Sequence, residues 1–174
     1  MGISLVTGRL ALAGNQTFPW SVLASGLSDV TLTLAPVSMM SVASGSFTGG
    51  TRSVLVHNQL SVPSAMELWR QNPSAGVTGP KWSGNYTDGD SILVSSFAPS
   101  GTSGLLLVLD SPVNKIGFSM QKNYFGTTTG QIIFYDETSA ILLSEKFNAF
   151  SNANGDGSAS FYGASSDATD IKSV

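Results

Sequence analysis

The chain has 174 residues, 41% of them hydrophobic and only 11% charged, with a net charge of −3. That charged share is less than half the usual ~25%, yet the apolar content is too high for a disordered chain. Eight Lys and Arg without a basic cluster exclude a nucleic-acid-binding surface, and no apolar run reaches the ~20 residues of a membrane-spanning helix.

Ser, Thr, Gly and Asn stand where charges would, the profile of an exported β-rich domain. Cysteine is absent, which an oxidising compartment permits, since it allows disulfides without demanding them. The residues after Met1 have neither the charged segment nor the long apolar segment of a signal peptide. A mature exported domain is the expectation, one domain over residues 1–174.

In chain order, residues 30–34 alternate Thr with Leu32 and Leu34, a strand with one buried face. Residues 52–60 place Val54 and Val56 together. Residues 64–70 read either as one helical turn capped by Ser64 and Glu67 or as an edge strand alternating Met66, Leu68 and Arg70 with Glu67 and Trp69. Ile92 and Val94 share a face of residues 91–95. Residues 105–109 are apolar throughout, as in a strand covered on both faces.

Further on, Ile116, Phe118 and Met120 alternate with small or polar residues. Residues 131–135 and 141–144 predict a hairpin around the turn 136–140, with Phe147 and Phe150 beyond it. Ala159, Phe161 and Gly163 alternate next, and residues 170–174 begin a last strand. Its shortness raises the expectation of a truncated strand with an edge open to a partner. About eight to ten strands predict an all-β, two-sheet antiparallel sandwich of jelly-roll or Greek-key type. The expected core is Leu32, Leu34, Val54, Val56, Ile92, Val94, Leu107, Phe118, Ile133, Leu142 and Phe161.

The segments PVNKIGF (112–118), NYFG (123–126), YD (135–136), GDGSASFYGASS (155–166) and DI (170–171) resemble those of exported bacterial β-sandwich domains found in PEP-CTERM-type, exosortase-sorted proteins. Residues 12–20 are similar to the family's opening and residues 82–93 to its middle segment. The resemblance implies a jelly-roll-type sandwich, secreted or held at the bacterial cell surface, and no catalytic set. Two departures stand out: the turn 136–140 lacks the family's usual Gly, and no sorting tail follows Val174.

His57 is the sole histidine, so nucleophilic catalysis would lack the usual supporting set and zinc would lack ligands. Most carboxylates fall in turns, where Asp bonds its own backbone, and no hydrolytic pair stands out. Two loops suit calcium, a cation that takes several oxygen ligands. One carries Asp88 and Asp90; the other carries Asn152, Asn154 and Asp156 at alternate positions. Turns built on Gly explain the same residues.

Aromatic rings offer flat apolar faces to sugars. Trp69, Trp82 and Tyr86 lie in a polar, Pro-punctuated region, and Tyr124 with Phe125 precedes Gly126. Burial in the core is the competing reading, above all for Trp82. The expected function is a non-catalytic exported module that binds carbohydrate or another extracellular polymer, with structural calcium as its candidate cofactor. The alternative is a self-assembling subunit of an extracellular layer or filament, joined by sheet-edge pairing. An enzyme acting on polysaccharide ranks last.

Overall fold

The computed structural model describes residues 2–12, 32–34, 39–41, 45–47, 50–52, 54–58, 64–71, 81–95, 105–122 and 125–174. These form strands β1 (Ile3–Val6), β2 (Leu32–Leu34), β3 (Met39–Ser41), β4 (Gly45–Phe47), β5 (Gly50–Arg52), β6 (Val54–Asn58), β7 (Ser64–Gln71) and β8 (Lys81–Trp82). They continue with β9 (Ser91–Ser95), β10 (Leu105–Val113), β11 (Lys115–Ser119), β12 (Gly126–Tyr135), β13 (Ile141–Ser151), β14 (Phe161–Ser166) and β15 (Ile171–Ser173). One short helix, α1 (Arg9–Leu12), follows β1.

The fold is an all-β, two-sheet antiparallel sandwich. A six-stranded sheet in the order β13-β12-β15-β10-β6-β3 faces a three-stranded sheet in the order β1-β14-β11. Ile132 and Phe134 of β12, Ile171 of β15 and Val174 pack across to Ala164 of β14, with Ile3, Leu5, Ile116 and Phe118 closing around them. Phe134 is fully buried, a placement that stabilises by about 1.5–3 kcal/mol. A further sheet joins β7 to β2 and β9 antiparallel and to β8 in parallel, and β4 pairs with β5.

The long hairpin β12–β13 follows from its sequence. Thr127, Thr128 and Thr129 and then Ile132 and Ile133 are β-branched residues that fit a pleated surface. Burial alternates along β12, with every second side chain turned inward. Gly130 faces Phe147 across the ladder, and a Cβ on Gly130 would run into that ring. The Phe147 ring stacks at a tilt on Tyr162 of the opposite sheet, centroids 4.8 Å apart, and the Tyr162 hydroxyl donates to the Asn148 carbonyl. In the turn, the Asp136 carboxylate accepts from the Thr138 amide, the Thr138 hydroxyl and the Ala140 amide at 2.7–2.9 Å. Ser139 takes the left-handed backbone, φ 65°.

Several expectations change. Residues 64–70 are neither helix nor edge: β7 is an inner strand, with β2 and β8 on one side and β9 on the other. Ile133 is half-buried, and the inward residues are its neighbours Ile132 and Phe134. Residues 131–135, 141–144, Phe147 and Phe150 belong to one longer ribbon. The strand at 105–109 runs on to Val113, half-buried over Leu105 to Val108 instead of covered on both faces.

Ile92 is buried, and Leu107, Phe118 and Leu142 pack on the core as expected, while Phe161 is half-buried, its ring against Gly117. The side chains of Leu32, Leu34, Val54, Val56 and Val94 lie outside the described residues. The last strand also differs: β15 is flanked by both β10 and β12, and Leu107 and Val174 exchange backbone hydrogen bonds at 2.7 and 3.0 Å. Its edges are occupied by the chain itself.

Candidate functional site

Two surfaces stand out, and the described site residues that the sequence singles out fall on the first. It is a knot of two loops. Loop 82–90 leaves β8 with Trp82 buried at 5% exposure, so Trp82 anchors the loop and offers no open ring face. Its turn is closed by the Asp90 amide donating to the Thr87 carbonyl at 3.0 Å and the Thr87 amide donating to the Asp90 carboxylate at 3.1 Å. Gly89 supplies the positive φ of 88°, and β7 holds the turn through reciprocal bonds between Gln71 and residues 89–90.

Loop 152–158 lies against it. Asn85, 2% exposed, is the centre of the contact. Its amide nitrogen donates to Asn152 Oδ1 at 2.7 Å and Ser158 Oγ at 2.9 Å. Its amide oxygen accepts from the Asn152 backbone at 2.6 Å and from Gln121 Nε2 at 3.2 Å. Gly155 donates to the Gly84 carbonyl at 2.7 Å, and Gln71 Nε2 donates to the same carbonyl at 3.0 Å. Gln71 Oε1 is buried without a hydrogen-bond partner among the described residues.

The two loops proposed for calcium are thus neighbours, which their separation in sequence does not reveal. The side-chain oxygens of Asp90, Asn152 and Asp156 already serve as turn caps. Asn152 Oδ1 accepts from the Asn154 amide at 2.9 Å. The Asp156 carboxylate accepts from the Ser158 amide at 3.0 Å, the Ser158 hydroxyl at 2.5 Å and Asn154 Nδ2 at 3.3 Å. The Ser158 bonds, side-chain first, hold the Asp156 carboxyl below the usual carboxylate range. A cation would compete with these donors for the same lone pairs. Among the described residues no three His, Cys, Asp or Glu gather into a metal-binding group; Asp88 and Asp90 are exposed.

Tyr86 is half-buried, its hydroxyl 3.5 Å from the Ser119 carbonyl. Burial, and then the negative charge of Asp90, pushes that hydroxyl above its ordinary pKa. Tyr124 and the side chain of Trp69 lie outside the described residues; the Trp69 backbone pairs with Ile92. His57 sits on β6 opposite Leu106, its side chain likewise outside the described residues.

The second surface is the outer face of β12–β13, which single-strand reading missed. Its rungs are Thr127–Phe150, Thr129–Asn148, Gln131–Lys146, Ile133–Ser144 and Tyr135–Ile141. A register shift between Phe134 and Tyr135 lets Leu142 pass as an extra residue and keeps Ile141 on the outside. Phe125, at the mouth of β12, is 63% exposed, Phe150 is 56% and Ile141 is 62%.

Between these ends stand hydroxyls, amides and the half-buried Ile133, and Lys146 is the single charge on the five rungs. Thr129 Oγ1 donates to Asn148 Oδ1 at 3.2 Å, and Gln131 Nε2 donates to Ser144 Oγ at 2.9 Å. The Asn148 amide nitrogen and the Gln131 amide oxygen have no hydrogen-bond partner among the described residues. The signal lay in the sequence: Thr127, Thr129 and Gln131, and Lys146, Asn148 and Phe150, each repeat at the two-residue period of one strand face. Compared with known proteins, the chain matches no family model, no curated protein and no solved structure.

Proposed function

We propose that this chain is a non-catalytic exported module that holds a carbohydrate or similar extracellular polymer at the bacterial cell surface, using the outer face of β12–β13. The observation that carries the reading is the exposed phenyl ring of Phe150 at one end of a ladder made mostly of hydrogen-bonding side chains, with the exposed Phe125 just before its first rung. Phenyl rings supply contact area with little entropy to lose, and flanking amides and hydroxyls fix orientation. The low charge of the chain and its resemblance to exosortase-sorted domains support export.

Within this reading Phe125 takes the place given to Trp82, whose ring is spent on the loop knot. Sheet-edge assembly loses the feature that motivated it, because β15 lies between two strands. Edge strand β13 carries a register shift, Lys146, and Glu145 on its inward parity, devices that discourage edge pairing.

The test is co-sedimentation of the purified protein with insoluble glucan, chitin and peptidoglycan, beside a Phe125→Ala/Phe150→Ala variant. Retention that the double variant loses, with thermal stability unchanged, supports the reading. Retention equal in both proteins, or none on any polymer, removes it.

A further inference from the structure

We infer that the occupant of the β12–β13 face is a linear, uncharged polysaccharide lying along the strands, gripped at both ends of the ladder; this rests on the polymer-binding reading above. Length is the first argument. From the Thr127–Phe150 rung to the Tyr135–Ile141 rung is eight residues of β12, or roughly 27 Å at strand rise. Ring-bearing or apolar side chains stand at both ends of that span, and the side chains between are hydrogen-bonding except for the half-buried Ile133. A terminal sugar would need one cluster. An extended chain of linked sugars uses the whole row.

Charge is the second argument. An anionic polymer or nucleic acid is held by several cations, and this face has Lys146 alone among its five rungs. A protein partner is held by a contiguous desolvated apolar centre; here the central rung is Gln131–Lys146, flanked by Thr129–Asn148 and by Ile133–Ser144, with the exposed apolar side chains Phe150 and Ile141 at the periphery. Neutral sugars match the middle, because their hydroxyls both donate and accept: the Asn148 amide nitrogen offers donors and the Gln131 amide oxygen an acceptor. Their C–H faces match the rings at the ends.

The experiment is calorimetric titration with β-1,4-glucan and β-1,4-N-acetylglucosamine oligomers from dimer to hexamer, with polygalacturonate as the anionic probe. The expected result is a Kd that falls at least about tenfold from dimer to hexamer in one neutral series. Ile141→Ser should remove most of that gain, and Phe150→Ala should weaken every length. All these side chains are exposed, so thermal melts matching the parent protein confirm that folding is not what changed.

Equal affinity for dimer and hexamer overturns the inference in favour of a point site and leaves the polymer-binding reading standing. So does salt-sensitive binding of polygalacturonate alone. A dimer in sedimentation equilibrium that Phe150→Ala dissociates reassigns the face to a second copy of this chain. Failure of every oligomer and every polymer overturns both readings.

Discussion

Asn85 and Asn148 are the same side chain in opposite circumstances. Asn85 is enclosed by two loops with both ends of its amide engaged by Asn152, Ser158 and Gln121. Asn148 stands on the outer face of β13 with only its oxygen engaged, by Thr129. Phe134 and Phe150 repeat the contrast on one hairpin, fully buried against 56% exposed. A residue type therefore says little about role here. Side-chain parity and the identity of the facing element turn one amide into a structural pin and the other into an available hand.

That contrast can be tested by substitution. Phe134→Ala should have the largest effect, a loss of about 3–5 kcal/mol in urea unfolding, because it leaves a cavity between the sheets. Phe150→Ala should change stability by less than about 0.5 kcal/mol while weakening polymer retention. Equal destabilisation of the two would erase the distinction.

Asn85→Ala should cost about 2–4 kcal/mol, since it orphans several buried groups at once. Asn148→Ala should fall within about 0.5 kcal/mol of the parent. A mild Asn85 variant would mean that the loops hold each other without the amide.

Gly163→Ala tests the closest approach in the three-stranded sheet. A Cβ there would stand 2.8 Å from Gly117 Cα and would meet the Ile116 carbonyl, and neither is a flexible tip that can turn aside. A loss of about 1–3 kcal/mol is expected in thermal unfolding.

The smallest effect sharpens the contrast electrostatically. The Asp136 carboxyl is held below its ordinary pKa, first by the Thr138 hydroxyl and then by the Ala140 amide. A depressed folded pKa contributes stability that is present above the unfolded value and is lost as pH falls through the folded one. Asp136→Asn should therefore lower the melting temperature slightly at neutral pH. That difference should shrink as pH drops below about 4, and a pH-independent difference would count against the charge as its cause.

Much of this fold was legible in the chain. The β9 segment matches its expected range of 91–95, and the hairpin around Asp136 could be read because Asx-type capping and flanking alternation act within a few residues. The inward parity of β12 was misread at Ile133, although Ile132 and Phe134 together form the more apolar set. Strand β1 was missed: Ile3–Val6 is too short to assert a period, and it is a strand because β14 pairs with it.

Of the candidate site, the sequence by itself determined the residue supply: few charges, abundant amides and hydroxyls, aromatic residues beside glycine-rich turns, and two Asx loops. Those are properties of composition and of local backbone preference. Tertiary structure alone decided that loops 82–90 and 152–158 share Asn85, that Trp82 is enclosed, that β15 has a neighbour on each side, and that Phe150 faces outward beside Thr127. Each depends on pairing residues far apart in the chain. Such pairing is chosen by the burial of whole sheet faces, and a one-residue change of register would exchange the core of this hairpin for its surface.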